Sequence, residues 1–235
     1  MLEEGKISPR LLRKIVSLIG AKKNSVIIGP GLGFDSGVAR VKERIVVSTD
    51  PVVGVPEELL GFFIVCYAAN DVSVFGGKPE FLVYDLLVPV GFKEDRVVEI
   101  CERVSLECRR LGMSVLNAHT GAYSAIKTPI ATSTVIGVAE KLVSPFEAKP
   151  GDKIVVIGEV GGEMVTALSY FNPRLAEELL GKGKAREYRE KYRDQLCVRE
   201  ALKLAREGVV RAMHDVTEGG LSTALPELAD ASKLG

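Results

Sequence analysis

One carboxylate interrupts the most apolar part of this chain. Asp71 is the only charged residue between positions 59 and 77, and the apolar run around it predicts a buried helix, Glu57–Phe75, which a pair of glycines ends. A buried carboxylate is strongly unfavourable unless it is paired or bound to a metal. The chain must therefore fold around a partner for Asp71, and we interpret Asp71 and its neighbour Asn70 as candidate ligands.

Similar acidic or hydroxyl motifs recur where other apolar runs end. The four motifs are Gly33-Phe34-Asp35-Ser36-Gly37, Ser48-Thr49-Asp50, Asn70-Asp71 and Asn117-Ala118-His119-Thr120-Gly121. If their carboxylates converge, two like charges at ~4 Å repel by about 1 kcal/mol in water and by about 4 kcal/mol at an effective dielectric near 20. A shared Mg²⁺ removes this conflict and supplies the charge that phosphoryl chemistry requires. The pattern indicates a protein that binds magnesium and a nucleotide.

Composition excludes several classes of function. The 235 residues are 46% hydrophobic and 26% charged, as in a globular protein of one large or two ordinary domains. The net charge is zero with scattered Lys and Arg, which argues against a nucleic-acid partner. The longest apolar stretch, Leu59–Ala69, is shorter than the ~20 residues that span a bilayer. Glu3 and Glu4 do not fit a signal peptide.

The four cysteines, Cys66, Cys101, Cys108 and Cys197, form no CxxC pair. Cysteines that lack this paired spacing favour a reduced, cytoplasmic protein. They fall on the apolar stripes of predicted helices, so we assign them to the core.

Helix and strand signals are clearest in the first two thirds of the chain. Ser8-Pro9 predicts the capped start of an amphipathic helix that ends at Gly20, and apolar spacing predicts a second helix, Lys93–Leu111. The predicted strands are Ser25–Ile28, Arg44–Ser48, Phe81–Val88, Met113–Leu116 and Ile130–Val138. These bounds place Thr49-Asp50 at the end of a strand and His119 in a loop between two strands.

Prolines and a glycine between Ser144 and Asp152 mark the predicted domain boundary, which gives domains 1–146 and 147–235. The second domain is predicted to begin with a strand, Lys153–Ile157, a glycine-rich turn and a helix from Glu163. A charged helical region follows at Lys182–Glu207, and the segment from His214 to Gly220 opens a final helix.

The loop Gly29-Pro30-Gly31-Leu32-Gly33 follows a strand and invites comparison with a dinucleotide-binding loop. Its G-x-G-x-G spacing is wrong for that motif, and Gly37 interrupts the helix that should follow. Two interpretations remain. The loop only turns the chain, or its backbone N–H groups approach a polyphosphate.

The chain has two histidines, His119 and His214, each placed by the sequence in a glycine-bearing segment. Loop placement favours site chemistry over a core role. Two histidines without a cysteine or a third histidine do not make a zinc site.

Taken together, the motifs resemble the superfamily of aminoimidazole ribonucleotide synthetase, thiamine-monophosphate kinase, selenophosphate synthetase and the hydrogenase-maturation carbamoyl dehydratase. The segment Asn70-Asp71-Val72 through Gly76-Gly77-Lys78-Pro79 is similar to the family's N-D-[IVL]-x-x-M-G-A-x-P helix. His214-Asp215-Val216-Thr217-Glu218-Gly219-Gly220-Leu221 is similar to its D-x-[TS]-x-G-G-L signature. The order matches over nearly the whole chain, and the hydrogenase-maturation branch is the most similar.

The resemblance implies an α+β, PurM-like protein of two domains. An N-terminal domain would bind Mg-ATP and form a homodimer by joining sheets, and a C-terminal α/β-type lobe would close over the substrate. Relatives run about a hundred residues further, so the C-terminal lobe is expected to be incomplete.

The resemblance also implies the roles of individual residues. Asp35, Asp50 and Asp71 would hold Mg²⁺. The nucleotide would contact Gly31, Gly33, Asp35, Ser48, Thr49, Asn70, Thr120 and Gly121. Asp71, His119 and Asp215 would be catalytic, with His119 and Thr120 near the same ions or phosphates and Asp215 across the cleft.

The implied reaction is ATP-dependent phosphoryl transfer to, or dehydration of, an oxygen-bearing small molecule or a carbamoylated partner. Ser36-Gly37 and Ala118 depart from the family pattern, and His119 replaces the acid of the kinase branch, which argues against a thiamine-phosphate kinase. The alternatives are a non-catalytic nucleotide-binding homodimer and a small-molecule kinase of that branch; a redox dinucleotide site is not expected.

Overall fold

The computed structural model describes residues 5–6, 8–19, 24–28, 38–39, 44–217 and 219–234. Its contacts divide the chain into two units. Unit 1 comprises Met1–Val72 and Gly77–Glu140, and unit 2 comprises Ser73–Gly76 and Lys141–Gly235. The predicted loop Gly29–Gly33, the residue Asp35 and the helix-ending Gly20 lie outside the described residues.

Unit 1 has three described helices, and each follows its sequence signals. Helix α1, Pro9–Leu18, begins at Ser8, whose Oγ accepts from the Leu11 N–H at 3.3 Å. A short 3-10 turn, Glu57–Leu59, leads into α2, Leu60–Val74, and α3 spans Glu94–Leu111. The predicted helices are therefore confirmed, with the first turn of Glu57–Phe75 wound as 3-10.

The strands of the unit 1 sheet are β1 Gly5–Lys6, β4 Arg44–Val52, β5 Lys78–Pro89, β6 Ser114–Tyr123 and β7 Ile130–Ala139. Their order across the sheet is β1-β6-β5-β7-β4. The β5 and β6 strands are parallel, whereas β5–β7, β7–β4 and β1–β6 are antiparallel. A separate two-stranded pair joins β2, Val26–Ile28, to β3, Val38–Ala39. The mixture of sheet and helices confirms the α+β class.

Helices α2 and α3 pack on one face of the sheet. Val72 of α2 lies so close to Gly137 of β7 that a Cβ at Gly137 would come within 2.3 Å of the Val72 Cγ1. The α2 and α3 helices also touch, since a Cβ at Gly61 would lie 2.4 Å from the Ile100 carbonyl oxygen. On the opposite face, Val26 packs with Phe81 and Leu116 at one end of the sheet.

Two predicted strand ends are wrong, and in each case a motif that was expected at a strand end or in a loop lies inside a strand. Strand β4 continues past Ser48 to Val52, so Thr49 and Asp50 lie inside it. A proline at position 51 is tolerated because β4 is an edge strand, where one N–H needs no ladder partner. Strand β6 likewise runs through His119 to Tyr123, because it pairs in parallel with β5 over its whole length.

The described part of unit 2 is helical. Its helices are α4 Gly162–Phe171, α5 Pro173–Leu180, α6 Lys182–Glu190, α7 Val198–Glu207 and α8 Leu221–Ala231, with a 3-10 turn at Tyr192–Gln195. The predicted helix starts near Glu163 and after Gly220 are confirmed. The predicted strand Lys153–Ile157 is wrong: this segment is irregular, and no strand of the described residues in unit 2 lies beside it to pair with its backbone.

Cys66, Cys101 and Cys108 are buried, as the apolar spacing predicts, and Cys197 is intermediate. None of the helices in the part of the chain that the structure describes combines the length and apolarity needed to cross a bilayer.

Candidate functional site

Ser48 and Asp71, 23 positions apart in sequence, meet where β4 lies against α2. The Ser48 Oγ donates a hydrogen bond of 2.5 Å to the Asp71 Oδ2. Asp71 lies in the last turn of α2, where the unpaired carbonyl groups carry partial negative charge. A carboxylate at that end of a helix raises the local negative potential. The position therefore favours a cation.

Asp50 shares a face of the sheet with Ser48. The two residues are two positions apart on β4, about 7 Å along the strand. Asp50 is half-buried, and its register partner on β7 is Ser133. Ser133 is fully buried, and its Oγ has no hydrogen-bond partner among the described residues. Ser48, Asp50 and Ser133 thus lie on one face of the sheet, and Asp71 of α2 contacts that face through Ser48.

Burial keeps three ionisable groups below this face of the sheet in their neutral forms. Ser133 also pairs in register with Tyr84 of β5, whose hydroxyl contacts the Cys101 Sγ at 3.8 Å. Burial raises the pKa of Tyr84 well above its usual range, and the nearby Cys101 adds to that shift. Burial also raises the pKa of Cys101 to about 11 and that of Cys108 to about 12. All three groups are uncharged at neutral pH.

Asn70, a predicted nucleotide contact, is buried in the helix. Its Nδ2 donates to the Cys66 Sγ, one turn earlier, at 3.6 Å. Thr49 points to the opposite face from Ser48, where its Oγ1 lies 2.8 Å from the Thr134 Oγ1 in an exposed pair.

His119 lies in the middle of β6, on the face opposite to Ser48 and Asp50. Successive strand residues alternate between faces, and the register aligns Asp50 with Ser133, Tyr84 and Ala118, but aligns His119 with Asp85 and Thr132. The structure therefore does not bring His119 together with Ser48 and Asp71. Thr120, the next residue, is buried on the helix-covered face.

Two polar neighbours of His119 were missed by sequence reasoning. The Tyr123 hydroxyl lies 2.9 Å from the His119 Nε2. Asp85, the register partner of His119 on β5, accepts from the Thr132 N–H through Oδ1 at 2.7 Å. The signal for Asp85 was the same as for Asp71: it is the single charge in the apolar run from Phe81 to Val88.

Asp215 lies in unit 2 beside His214. The His214 Nδ1 is 2.5 Å from the Asp215 carbonyl oxygen and 3.7 Å from its Oδ1. The other ring nitrogen, Nε2, lies 3.2 Å from the Glu227 Oε2 of α8. The imidazole is thus held between its neighbour and the final helix.

Three predicted ligands, Gly31, Gly33 and Asp35, lie outside the described residues. Within the described ranges, no three His, Cys, Asp or Glu side chains are grouped closely enough to hold one metal ion. Asp50 and Asp71 carry hard oxygen donors of the kind that Mg²⁺ prefers, and they fit a site to which further oxygens are added by other groups.

This is an α+β protein in which a carboxylate at the end of a helix bonds a hydroxyl of the edge strand, and that strand carries a second carboxylate two residues further on. Two family descriptions match the chain, "AIR synthase related protein, N-terminal domain" at residues 33–139 and "AIR synthase related protein, C-terminal domain" at residues 149–235. The chain belongs to the AIR synthase-related superfamily and has its PurM-like fold.

Curated relatives are about one quarter identical to this chain over the aligned residues. The carbamoyl dehydratase HypE of Azotobacter vinelandii is 28% identical over 82% of this chain and 56% of its own length. A thiamine-monophosphate kinase of Pyrococcus abyssi is 26% identical over 86% of this chain and 64% of its own length. The chain therefore spans less than two thirds of either relative.

Solved structures show the same fold. The thiamine-monophosphate kinase of Stenotrophomonas maltophilia has a TM-score of 0.71 at 17% identity, over 94% of this chain and 70% of that protein. The hydrogenase maturation protein HypE in complex with ATP has a TM-score of 0.68 at 23% identity, over 85% of this chain and 59% of that protein. The superfamily thus includes a protein that binds ATP.

Proposed function

We propose that this chain is the Mg-ATP-binding part of an AIR synthase-related enzyme. In the proposed reaction, the bond between the terminal phosphorus of ATP and its bridging oxygen breaks. ADP leaves, and a new P–O bond forms to an oxygen of a small molecule or of a carbamoylated partner. The observation that carries this proposal is the Ser48–Asp71 hydrogen bond, which brings a predicted metal ligand on α2 to the strand that bears Asp50.

Asp50 and Asp71 are the proposed magnesium ligands in the described part of the chain, with Asp35 as a third from outside it. Bound Mg²⁺ would supply positive charge for the phosphate oxygens. The chain's own contribution is to fix the donors: Ser48 restrains the Asp71 carboxylate, and the rigid sheet sets the place of Asp50. Catalysis of this kind depends mostly on positioning and charge neutralisation.

The other predicted contacts keep their proposed roles. We propose that Gly31, Gly33, Thr49, Thr120 and Gly121 serve the nucleotide, with Asn70 supporting the helix end beside Asp71. Thr49 and Gly121 lie on the sheet face opposite to Ser48 and Asp50, so within one chain they would contact a different part of the nucleotide. His119 and Asp215 are proposed to act in catalysis. A cytoplasmic location is likewise a proposal, which the free cysteines favour.

A non-catalytic nucleotide-binding homodimer is the second candidate. The placement of His119 on the face opposite to Asp71 favours it, because the two proposed catalytic side chains are not together in one chain. Release of inorganic phosphate or ADP during incubation with ATP and candidate acceptors separates the two candidates. Turnover with thiamine monophosphate as the acceptor would identify the kinase-type reaction.

We propose that the homodimer forms through the sheet face that the helices leave uncovered. The edge strand β4 presents Ile45 and Val47 on that face, exposed to 55% and 57%, and Val53, which follows the strand, is exposed to 54%. Apolar side chains in a row on an edge strand are typical of a surface that another strand or sheet covers.

Calorimetry tests the nucleotide proposal directly. ATP is titrated into the chain with Mg²⁺ and again with excess EDTA. We expect binding with Mg²⁺ and a loss of at least about tenfold in affinity without it, as for a charge-assisted contact of about 1.5–3 kcal/mol. Equal affinity in both titrations would refute the magnesium site, and no binding in either would refute the nucleotide site.

A further inference from the structure

His119 and Tyr123 contact each other through their side chains on one face of β6. The Tyr123 hydroxyl is 2.9 Å from the His119 Nε2, and the two rings are stacked, with centroids 6.4 Å apart and planes inclined by 30°. The residues are four positions apart on a strand, so their side chains emerge on the same face.

Gly121 makes this contact possible. It lies between the two residues on the same face, and the Tyr123 ring lies back across it toward His119. A Cβ at position 121 would come within 2.7 Å of both the Oη and the Cε2 of Tyr123. Any other residue would therefore push the ring away from the imidazole.

Asp85, the register partner of His119 on β5, bonds a different group. Asp85 faces the same side from β5, but its Oδ1 accepts from the Thr132 N–H on the far side, at 2.7 Å. Tyr123 is therefore the side chain that the structure shows in contact with the His119 ring nitrogen.

The direction of the hydrogen bond follows from the two groups. A neutral imidazole has one N–H and one nitrogen lone pair, and the bond made at one nitrogen decides which nitrogen carries the proton. A phenol is a good donor, and its oxygen is a weaker acceptor than an imidazole nitrogen.

We propose that Tyr123 is a positioning residue for His119. Its hydroxyl donates to Nε2, holds the ring in place and keeps the imidazole proton on Nδ1. Gly121 contributes by leaving room for the Tyr123 ring to lie against His119. The catalytic use of His119 rests on the proposed function above, whereas its tautomer is a property of the free protein and is measured without ATP.

Nitrogen-15 NMR of the imidazoles tests the proposal, because the chain has only two histidines. Spectra are recorded over a pH series up to the alkaline plateau of the imidazole signals, so that the neutral form of each ring is observed directly. A His214→Asn variant assigns the signals. We expect His119 to carry its proton on Nδ1 in the native chain, and to shift toward Nε2–H in Tyr123→Phe.

A second variant and a control separate positioning from general damage. Gly121→Ala keeps the hydroxyl but displaces the ring, so it should change the His119 signals as Tyr123→Phe does. Tyr188→Phe is the control, since it removes a hydroxyl that bonds Glu159 at 2.6 Å in unit 2; it should leave His119 unchanged. A native Nε2–H tautomer, or identical His119 signals in native chain and Tyr123→Phe, would overturn the proposal.

Kinetics then connect the pair to the proposed reaction. If the chain turns over ATP, Tyr123→Phe should lower kcat on the order of tenfold with little change in KM, as removal of an orienting partner does at other sites. An unchanged kcat would overturn the role of Tyr123 in that reaction. Failure of ATP to bind would instead refute the proposed function, while the NMR result would still decide the positioning of His119.

Discussion

The hydroxyl of Ser48 is bonded to the carboxylate of Asp71 at 2.5 Å, across 23 positions of sequence. This contact ties the edge strand of the sheet to the C-terminal turn of the helix that carries the only charge of its apolar run. Among the described residues, Ser48 gives this half-buried carboxylate one neutral donor, and a carboxylate has further acceptor capacity with which to bind a cation.

We first predict that Ser48→Ala destabilises unit 1. Removing the donor leaves Asp71 half-buried with its hydrogen bond lost, which should lower the free energy of unfolding by about 1–2 kcal/mol. Urea unfolding measures the change. Ser17→Ala, which removes an exposed helix hydroxyl, is the control and should stay within about 0.5 kcal/mol. A double-mutant cycle with Asp71→Asn should give a coupling energy clearly above zero, and simple additivity would contradict the contact.

The second prediction concerns the carboxylate itself. Asp71→Asn keeps the shape of the side chain but removes its charge, so Mg-ATP affinity should fall by at least about tenfold, the size expected for one charge-assisted contact. Asp95→Asn is the matched control, because Asp95 is exposed in the first turn of α3. Calorimetry on both variants decides the matter, and equal losses in the two would count against Asp71 as a ligand.

A third prediction addresses the proposed dimer. Val47→Lys places a charge beside Ile45 on the uncovered face of β4, where a lysine on an edge strand disfavours sheet pairing. Light scattering should show a dimer for the native chain and a monomer for the variant. Val155→Lys, at an apolar position of unit 2 exposed to 78%, should remain dimeric. A native chain that is monomeric at all concentrations would refute the dimer.

The buried thiols lead to a fourth prediction, in alkaline solution. Burial raises the pKa of Cys101 to about 11 and of Cys108 to about 12, so the folded chain keeps its thiol protons where the unfolded chain loses them. Their contribution to stability is complete below the unfolded pKa, near 8.5, and is lost as pH rises toward 11–12. Each thiol should lower the free energy of unfolding by about 1.4 kcal/mol per pH unit within that window.

Denaturant titrations at pH 8, 9 and 10 measure this loss. Cys108→Ala should flatten the dependence, although the smaller side chain lowers stability at every pH. A slope that is unchanged in the variant would show that other groups cause the alkaline loss. At neutral pH, Cys101 and Cys108 should react with thiol reagents only on unfolding.

Local signals were sufficient for the helices. Ser8 and Pro9 specify the start of α1 through one cap and one fixed φ angle, and the spacing of apolar residues in α3 marks its buried face. Gly76 ends α2 with φ +77°, a conformation that glycine adopts without strain. Each of these interactions lies within a few residues of the position it determines.

Strand ends were predicted less well because a strand depends on its neighbours. The local sequence Asp50-Pro51 predicts a turn. Pairing with Ser133 and Thr132 of β7 nevertheless keeps both residues extended. His119 reads as a loop residue, yet the parallel partner β5 carries the strand through it. Lys153–Ile157 fails in the opposite sense: its residues favour a strand, but the described part of unit 2 has no strand to pair with it.

The sequence by itself determined the helices, the membership in a superfamily and the identity of the candidate ligands. Motifs and apolar periodicity are local properties of the chain, so they can be recognised without knowing which residues meet in the fold. Only the tertiary structure decided which of those residues meet. It joined Ser48 to Asp71, placed His119 on the other face, and paired it with Tyr123 over Gly121. Strand register sets these outcomes, since a shift of one residue moves every side chain to the opposite face of the sheet.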